Sequence, residues 1–160
     1  SLNRPVEAVV NNTGLYALGK IHEAAEGTLE KMMEINLYSA FYLTKGLVKG
    51  MIERKKGHIF AMCSTASITP YPNSGAYCIS KFALLGMTKV LREELKHKGI
   101  RVTAVLPGAT FTSSWEGVEL PPERFIKVED VAEAIWSAFQ LSAGAVVEEI
   151  LIRPQLGDIV

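Results

Sequence analysis

The chain has 160 residues, 48% of them apolar and 21% charged, which suits one globular domain with a substantial core and argues against disorder. Its 17 Lys and Arg balance 17 Asp and Glu, so there is no basic footprint for a nucleic acid and no acidic tail. Two cysteines, Cys63 and Cys78, are too few for a disulfide scaffold. No apolar run approaches the roughly 20 residues that cross a bilayer, so no membrane partner and a cytoplasmic setting are expected.

Val6 to Val10 is a short apolar run that ends at Asn11-Asn12-Thr13-Gly14, a strand running into a turn. From Thr28 to Glu53 apolar residues recur at helical spacing on more than one stripe, which predicts a long helix burying two faces. His58 to Met62 reads as a second strand, and the Pro-rich stretch Ile68 to Ser74 as loop. A second long helix is expected from about Ala76 to Lys98, stopped by Gly99. Arg101 to Leu106 is a third strand, halted by Pro107-Gly108. A polar loop extends to Pro122, then a helix from Val128 to Leu141 with Glu129 and Asp130 near its positive end, and a last strand from Val146 to Arg153.

Strand and helix alternate along the whole chain, which implies an α/β fold: about four parallel strands, right-handed crossovers and helices on both sheet faces. No repeat or linker divides it, so residues 1–160 are expected to form a single domain. A complete doubly wound dinucleotide fold opens with a strand, a Gly-rich turn and a helix holding the pyrophosphate. No such glycine cluster occurs here, and the pattern reads as the later, C-terminal part of a Rossmann-like sheet.

The residues with the clearest chemistry are Tyr77 and Lys81, four apart on a predicted helix and hence on one face. A phenol with pKa near ~10 is a poor acid-base catalyst at neutral pH, and a neighbouring ammonium is expected to lower it. Ser64 follows a strand at its C-terminal edge, where its hydroxyl can donate to an oxygen that gains negative charge. Asn36 lies mid-helix, where an amide competes for backbone hydrogen bonds, so a local distortion is expected there. Tyr-x-x-x-Lys alone is a common spacing; the preceding strand, Ser64 and the Pro-rich loop make it specific.

These segments, with Asn11-Asn12-Thr13-Gly14 and Val105-Leu106-Pro107-Gly108-Ala109-Thr110, resemble the short-chain dehydrogenase/reductase family in order and spacing. Thr13 replaces the family's usual alanine. The resemblance covers essentially the whole chain but only about the later two-thirds of a family member. It implies that Tyr77 donates or accepts the proton, Ser64 orients the carbonyl, Lys81 holds the nicotinamide ribose and tunes Tyr77, and Asn36 anchors a water. It further implies that Asn12 and Gly14 line the adenosine side of the cofactor and Pro107, Gly108 and Thr112 the nicotinamide carboxamide. The cofactor is then NADP or NAD, with NADP slightly favoured, and the partners are a small carbonyl or alcohol substrate and further copies of the chain, as homodimer or homotetramer through the two long helices. The segments around Thr112 to Trp115 and Val146 to Pro154 are loosely similar to bacterial sepiapterin-reductase-like members.

Other candidates are weaker. His22, His58 and His97 are scattered without partners at ligand spacing, so no metal site is expected. Cys63 and Cys78 read as small buried fillers. Trp115 suits either closure over a substrate or surface anchoring. Two functions follow: an oxidoreductase acting on small ketones or secondary alcohols, with reduction favoured, or a non-catalytic product whose helices serve only for association. The isolated chain is expected to have little activity of its own.

Overall fold

The computed structural model describes residues 4–115 and 117–159. Four parallel strands form one sheet: β1 (Ala8–Asn11), β2 (Gly57–Met62), β3 (Ile100–Pro107) and β4 (Glu149–Ile152), adjacent in that order. The α/β fold and the strand count are those expected. β1 starts two residues later than the apolar run suggests, and β4 is shorter than Val146 to Arg153. Register pairs Asn11 with Ala61, Met62 with Val105 and Pro107 with Ile152, so every strand ends at the same sheet edge.

The first long helix is three pieces in continuous sequence: α1 (Thr28–Met33), a π-turn (Glu34–Tyr38) and α2 (Ser39–Arg54). The second is α3 (Gly75–Leu95), which tightens into a short 3-10 turn (Lys96–Lys98) before Gly99. Gly99 has a left-handed φ of 75°, and a Cβ there would lie 2.4 Å from the Lys55 carbonyl oxygen, so only glycine fits this stop. α4 (Val128–Gln140) carries Glu129 and Asp130 in its first turn.

The sheet is covered on two faces by alternate residues of its strands. Val9, Ile59, Ala61, Val102, Ala104 and Leu106 meet Ala40 and Met51 of α2 and Leu84, Leu85 and Leu95 of α3. Phe60 and Val105 face the other way, against Ile126 and Val131 and Ala138 of α4. The strands step across the sheet in one direction, yet the helix of the third crossover lies on the face opposite those of the first two. The third crossover therefore has the opposite hand, which corrects the expectation of right-handed crossovers throughout. Arg101 of β3 locks this unusual arrangement: its guanidinium donates to the carbonyls of Phe139 (2.8 Å) and Leu141 (2.9 Å) at the end of α4.

On the α4 face His58 is fully buried. Its Nε2 lies 2.7 Å from Thr103 Oγ1, and that hydroxyl donates to the Val147 carbonyl at 2.6 Å. The Thr103 oxygen is thus left to accept, which assigns the proton to Nε2 and leaves Nδ1 buried without a hydrogen-bond partner. Burial, reinforced by the Arg101 charge, pushes the imidazole down to about 3 from its ordinary 6.5. The unfolded chain then takes up a proton below pH ~6.5 that the folded protein refuses. Stability is expected to be full above that pH and to decline as pH falls from 6.5 toward 3, by at most about 1.4 kcal/mol per pH unit. Urea melts between pH 7 and 5 check this: His58→Gln flattens the slope, and an unchanged slope in that variant would contradict it.

Candidate active site

Three loops leave the C-terminal ends of β1, β2 and β3 side by side, the edge where open parallel sheets gather ligands. The first carries Asn12 and Gly14, the second Ser64, the third Gly108 and Thr112. α3 starts beside them and contributes Tyr77 and Lys81 from its first two turns.

Ser64 caps the short 3-10 turn Thr65–Ser67, its Oγ accepting from the Ala66 amide at 3.1 Å. The same side chain is close enough to hydrogen-bond Tyr77. Lys81 is buried; its Nζ lies 5.8 Å from the Tyr77 ring centre and donates to the Met62 carbonyl at 2.8 Å. Burial pushes the ammonium down to about 8. The Tyr77 phenol is raised rather than lowered, which corrects the expectation from the sequence. Burial is the largest cause; the Ser64 hydrogen bond opposes it, and Cys78, Tyr16 and Tyr71 add to it. Lys81 spends its charge on the Met62 carbonyl.

Asn36 sits at the centre of the π-turn and is fully buried, so the distortion expected of a mid-helix amide is a widened turn. Its side chain is saturated. Oδ1 accepts from the Leu15 amide at 2.7 Å, and Nδ2 donates to the Leu15 carbonyl and to Ser80 Oγ, each at 2.9 Å. Ser80 in turn donates to the Tyr77 carbonyl at 2.7 Å. One amide thereby joins the loop after β1, the π-turn and the start of α3.

Asn12 and Gly14 are exposed on the loop, whereas Asn11 is buried and donates to Thr44 Oγ1 at 3.0 Å. A Cβ on Gly14 would stand 3.4 Å from Lys81 Nζ, so its absence keeps the approach to that ammonium open. Gly108 is held close against Ile152, its amide donating to the Ile152 carbonyl at 2.8 Å. Pro107 ends β3, and the Thr112 carbonyl accepts from the Trp115 amide at 3.0 Å. The loop that follows is closed at its base, where Phe111 donates to the Ile126 carbonyl and Ile126 to that of Ala109, both at 2.9 Å. Trp115 packs edge-on against Phe125, ring centres 5.1 Å apart.

Both cysteines are buried and free, and burial pushes the Cys63 thiol up to about 11, so it is a filler rather than a nucleophile. No cluster of His, Cys, Asp and Glu among the described residues could hold a metal ion. No helix among them is long and apolar enough to cross a membrane. Tyr16 and Tyr71 border the site and are not legible in the sequence, because only the fold brings them to Tyr77.

Residues 2–121 match the model of the short chain dehydrogenase family. Sepiapterin reductase of Chlorobaculum tepidum is 33% identical over 155 residues, covering 96% of this chain and 64% of that protein. 2-(S)-Hydroxypropyl-CoM dehydrogenase 3 of Xanthobacter autotrophicus is 33% identical over 144 residues, covering 79% of this chain and 56% of its own length. The chain thus spans less than two thirds of these curated relatives. Among solved structures, serine dehydrogenase from Escherichia coli superimposes with a TM-score of 0.82 at 29% identity, over 96% of this chain and 66% of that one. The closed form of serine dehydrogenase complexed with NADP+ gives 0.85 at 25% identity, over 96% and 67%. Matched over three quarters of its length by the family model and at a third identity by a curated member, the chain belongs to the short chain dehydrogenase family.

Proposed function

We propose that this chain carries the proton-handling half of a nicotinamide-dependent oxidoreductase that interconverts a small ketone and a secondary alcohol, acting as a reductase. The observation that carries the reading is the meeting of Ser64, Tyr77 and Lys81 at the C-terminal edge of the sheet. Tyr77 moves the proton at its phenolic oxygen, and its raised affinity for that proton suits donation to a carbonyl oxygen. Ser64, whose hydrogen bond favours the phenolate, orients the same carbonyl.

The residues present fit a nicotinamide dinucleotide. Lys81 has three N–H donors, one directed at Met62, and the missing Cβ of Gly14 leaves room for a ribose beside it. Asn12 and Gly14 are assigned to the adenosine side, Pro107, Gly108 and Thr112 to the nicotinamide side, and Asn36 to a water held by its widened turn. When bound, the cofactor supplies or accepts the hydride. NADP is favoured slightly over NAD, supported by the NADP+ complex of a structural relative.

A second reading, that the chain serves only for association, draws on one observation. Phe41, Tyr42 and Leu43 of α2 and Phe82 and Val90 of α3 are 45–66% exposed, an apolar surface suited to further copies of the chain. Sedimentation with and without dinucleotide separates the readings: assembly without dinucleotide binding favours the second.

Oxidation of NADPH and NADH should be followed with a panel of small ketones and aldehydes, in the 160-residue chain and in any longer natural form. Little turnover is expected from the chain alone, which holds no Gly-rich phosphate turn. In the active form Tyr77→Phe should lower kcat at least ~100-fold, and retained turnover would sink the acid-base assignment. Asn36→Ala should cost about 2–3 kcal/mol in urea melts, since it strands the Leu15 backbone groups and Ser80. Asn12→Ala, at an exposed position, should change stability by less than about 0.5 kcal/mol.

A further inference from the structure

The loop after β1 places an aromatic side chain directly against the acid-base group. Tyr16 and Tyr77 meet edge to face, with ring centres 4.9 Å apart and planes at 81°. The Tyr16 hydroxyl lies 3.0 Å from Oγ of Ser74, a buried residue that immediately precedes α3. Tyr16 is nevertheless 43% exposed, so part of its ring faces solvent.

Its backbone is fixed on both sides. Before it, Leu15 is held by both ends of the Asn36 amide. After it, Gly19 pairs with the α3 start, its amide donating to the Asn73 carbonyl at 2.7 Å and its carbonyl accepting from Gly75 at 2.9 Å. Ile21 packs so closely there that a Cβ on Gly75 would fall 2.5 Å from its side chain. The loop is thus fixed on both sides of Tyr16, whose ring lies against Tyr77.

We propose that Tyr16 is a positioning residue for Tyr77, its clamped ring fixing the orientation of the phenol and shielding it from water along one wall of the substrate cleft. Helix α3 sets where the Tyr77 side chain starts but leaves the ring free to swing about its side-chain torsions. Ser64 limits the hydroxyl end, and Tyr16 braces the ring in an edge-to-face contact. The groups that face the phenol are Ser64 from the β2 loop, Cys78 and Lys81 from α3, Tyr71 from the Pro-rich loop and Tyr16 itself. Removing Tyr16 takes away both shielding and a neighbouring phenol, so the Tyr77 proton is held less tightly.

This rests on the reading of Tyr77 as the acid-base group, and two readouts keep the claims apart. In the catalytically active form, Tyr16→Ala should lower kcat about 10-fold with little change in the dissociation constant of the dinucleotide. Tyr16→Phe, which keeps the ring and loses the hydroxyl with its tether to Ser74, should recover most of that loss. Independently of turnover, the 160-residue chain carrying tyrosine labelled with 13C at Cζ can be titrated by NMR, with Tyr77→Phe identifying the resonance. The Tyr77 midpoint is expected to move to lower pH in Tyr16→Ala and to return toward the parent value in Tyr16→Phe. An unmoved midpoint in Tyr16→Ala overturns the positioning role, whatever the turnover. A moved midpoint in a protein whose Tyr77→Phe variant stays active overturns the catalytic reading and leaves the contact standing. Equal losses in the Phe and Ala variants would assign the effect to the Ser74 tether and refute the role of the ring.

Discussion

The buried side chain of Asn36 is the point on which the site hangs. A primary amide has two donors and two acceptor lone pairs, and here both donors are used and the oxygen is bonded, away from water. Leu15, Ser80 and, through Ser80, the Tyr77 carbonyl are its dependants. In a low-dielectric interior such a satisfied network is rigid, and each member is costly to remove. The π-turn is the geometric counterpart: an α-helix would have used the local backbone groups itself, and the widened turn seats this amide where three segments meet.

Around that point the parallel register does the rest. Because β1, β2 and β3 end at one edge of the sheet, residues distant in sequence emerge together there. The opposite hand of the last crossover puts α4 on the far face, away from α2 and α3, where it covers Phe60 and Val105. His58 marks the cost of that cover, an imidazole kept neutral in the interior by burial and Arg101.

The sequence made the helical pair Tyr77 and Lys81 legible because a period of 3.6 fixes which side chains share a face. Ser64 was legible as the residue after a strand, and Asn36 as an amide that a regular helix tolerates poorly. Tyr16 was not, because nothing local marks a loop tyrosine whose partners are Ser74 and Tyr77, some sixty residues on. The hand of the last crossover was equally hidden, since alternation of strand and helix says nothing about which face a helix takes. The direction of the Tyr77 shift is hidden for a related reason: adjacency on a helix face implies an ammonium that favours the phenolate, while the fold sends the Lys81 ammonium to a backbone carbonyl and buries the phenol.

The clasp between Ala109, Phe111 and Ile126 has a consequence for how such a protein changes over time. It closes the base of the loop with two backbone hydrogen bonds, and Arg101 anchors the helix beyond it. Loops closed in this way accept altered length and composition at small entropic cost. Under the proposed function, the length and composition of this loop can therefore vary while Asn36, Ser64, Tyr77 and Lys81, mounted on other segments, stay where they are.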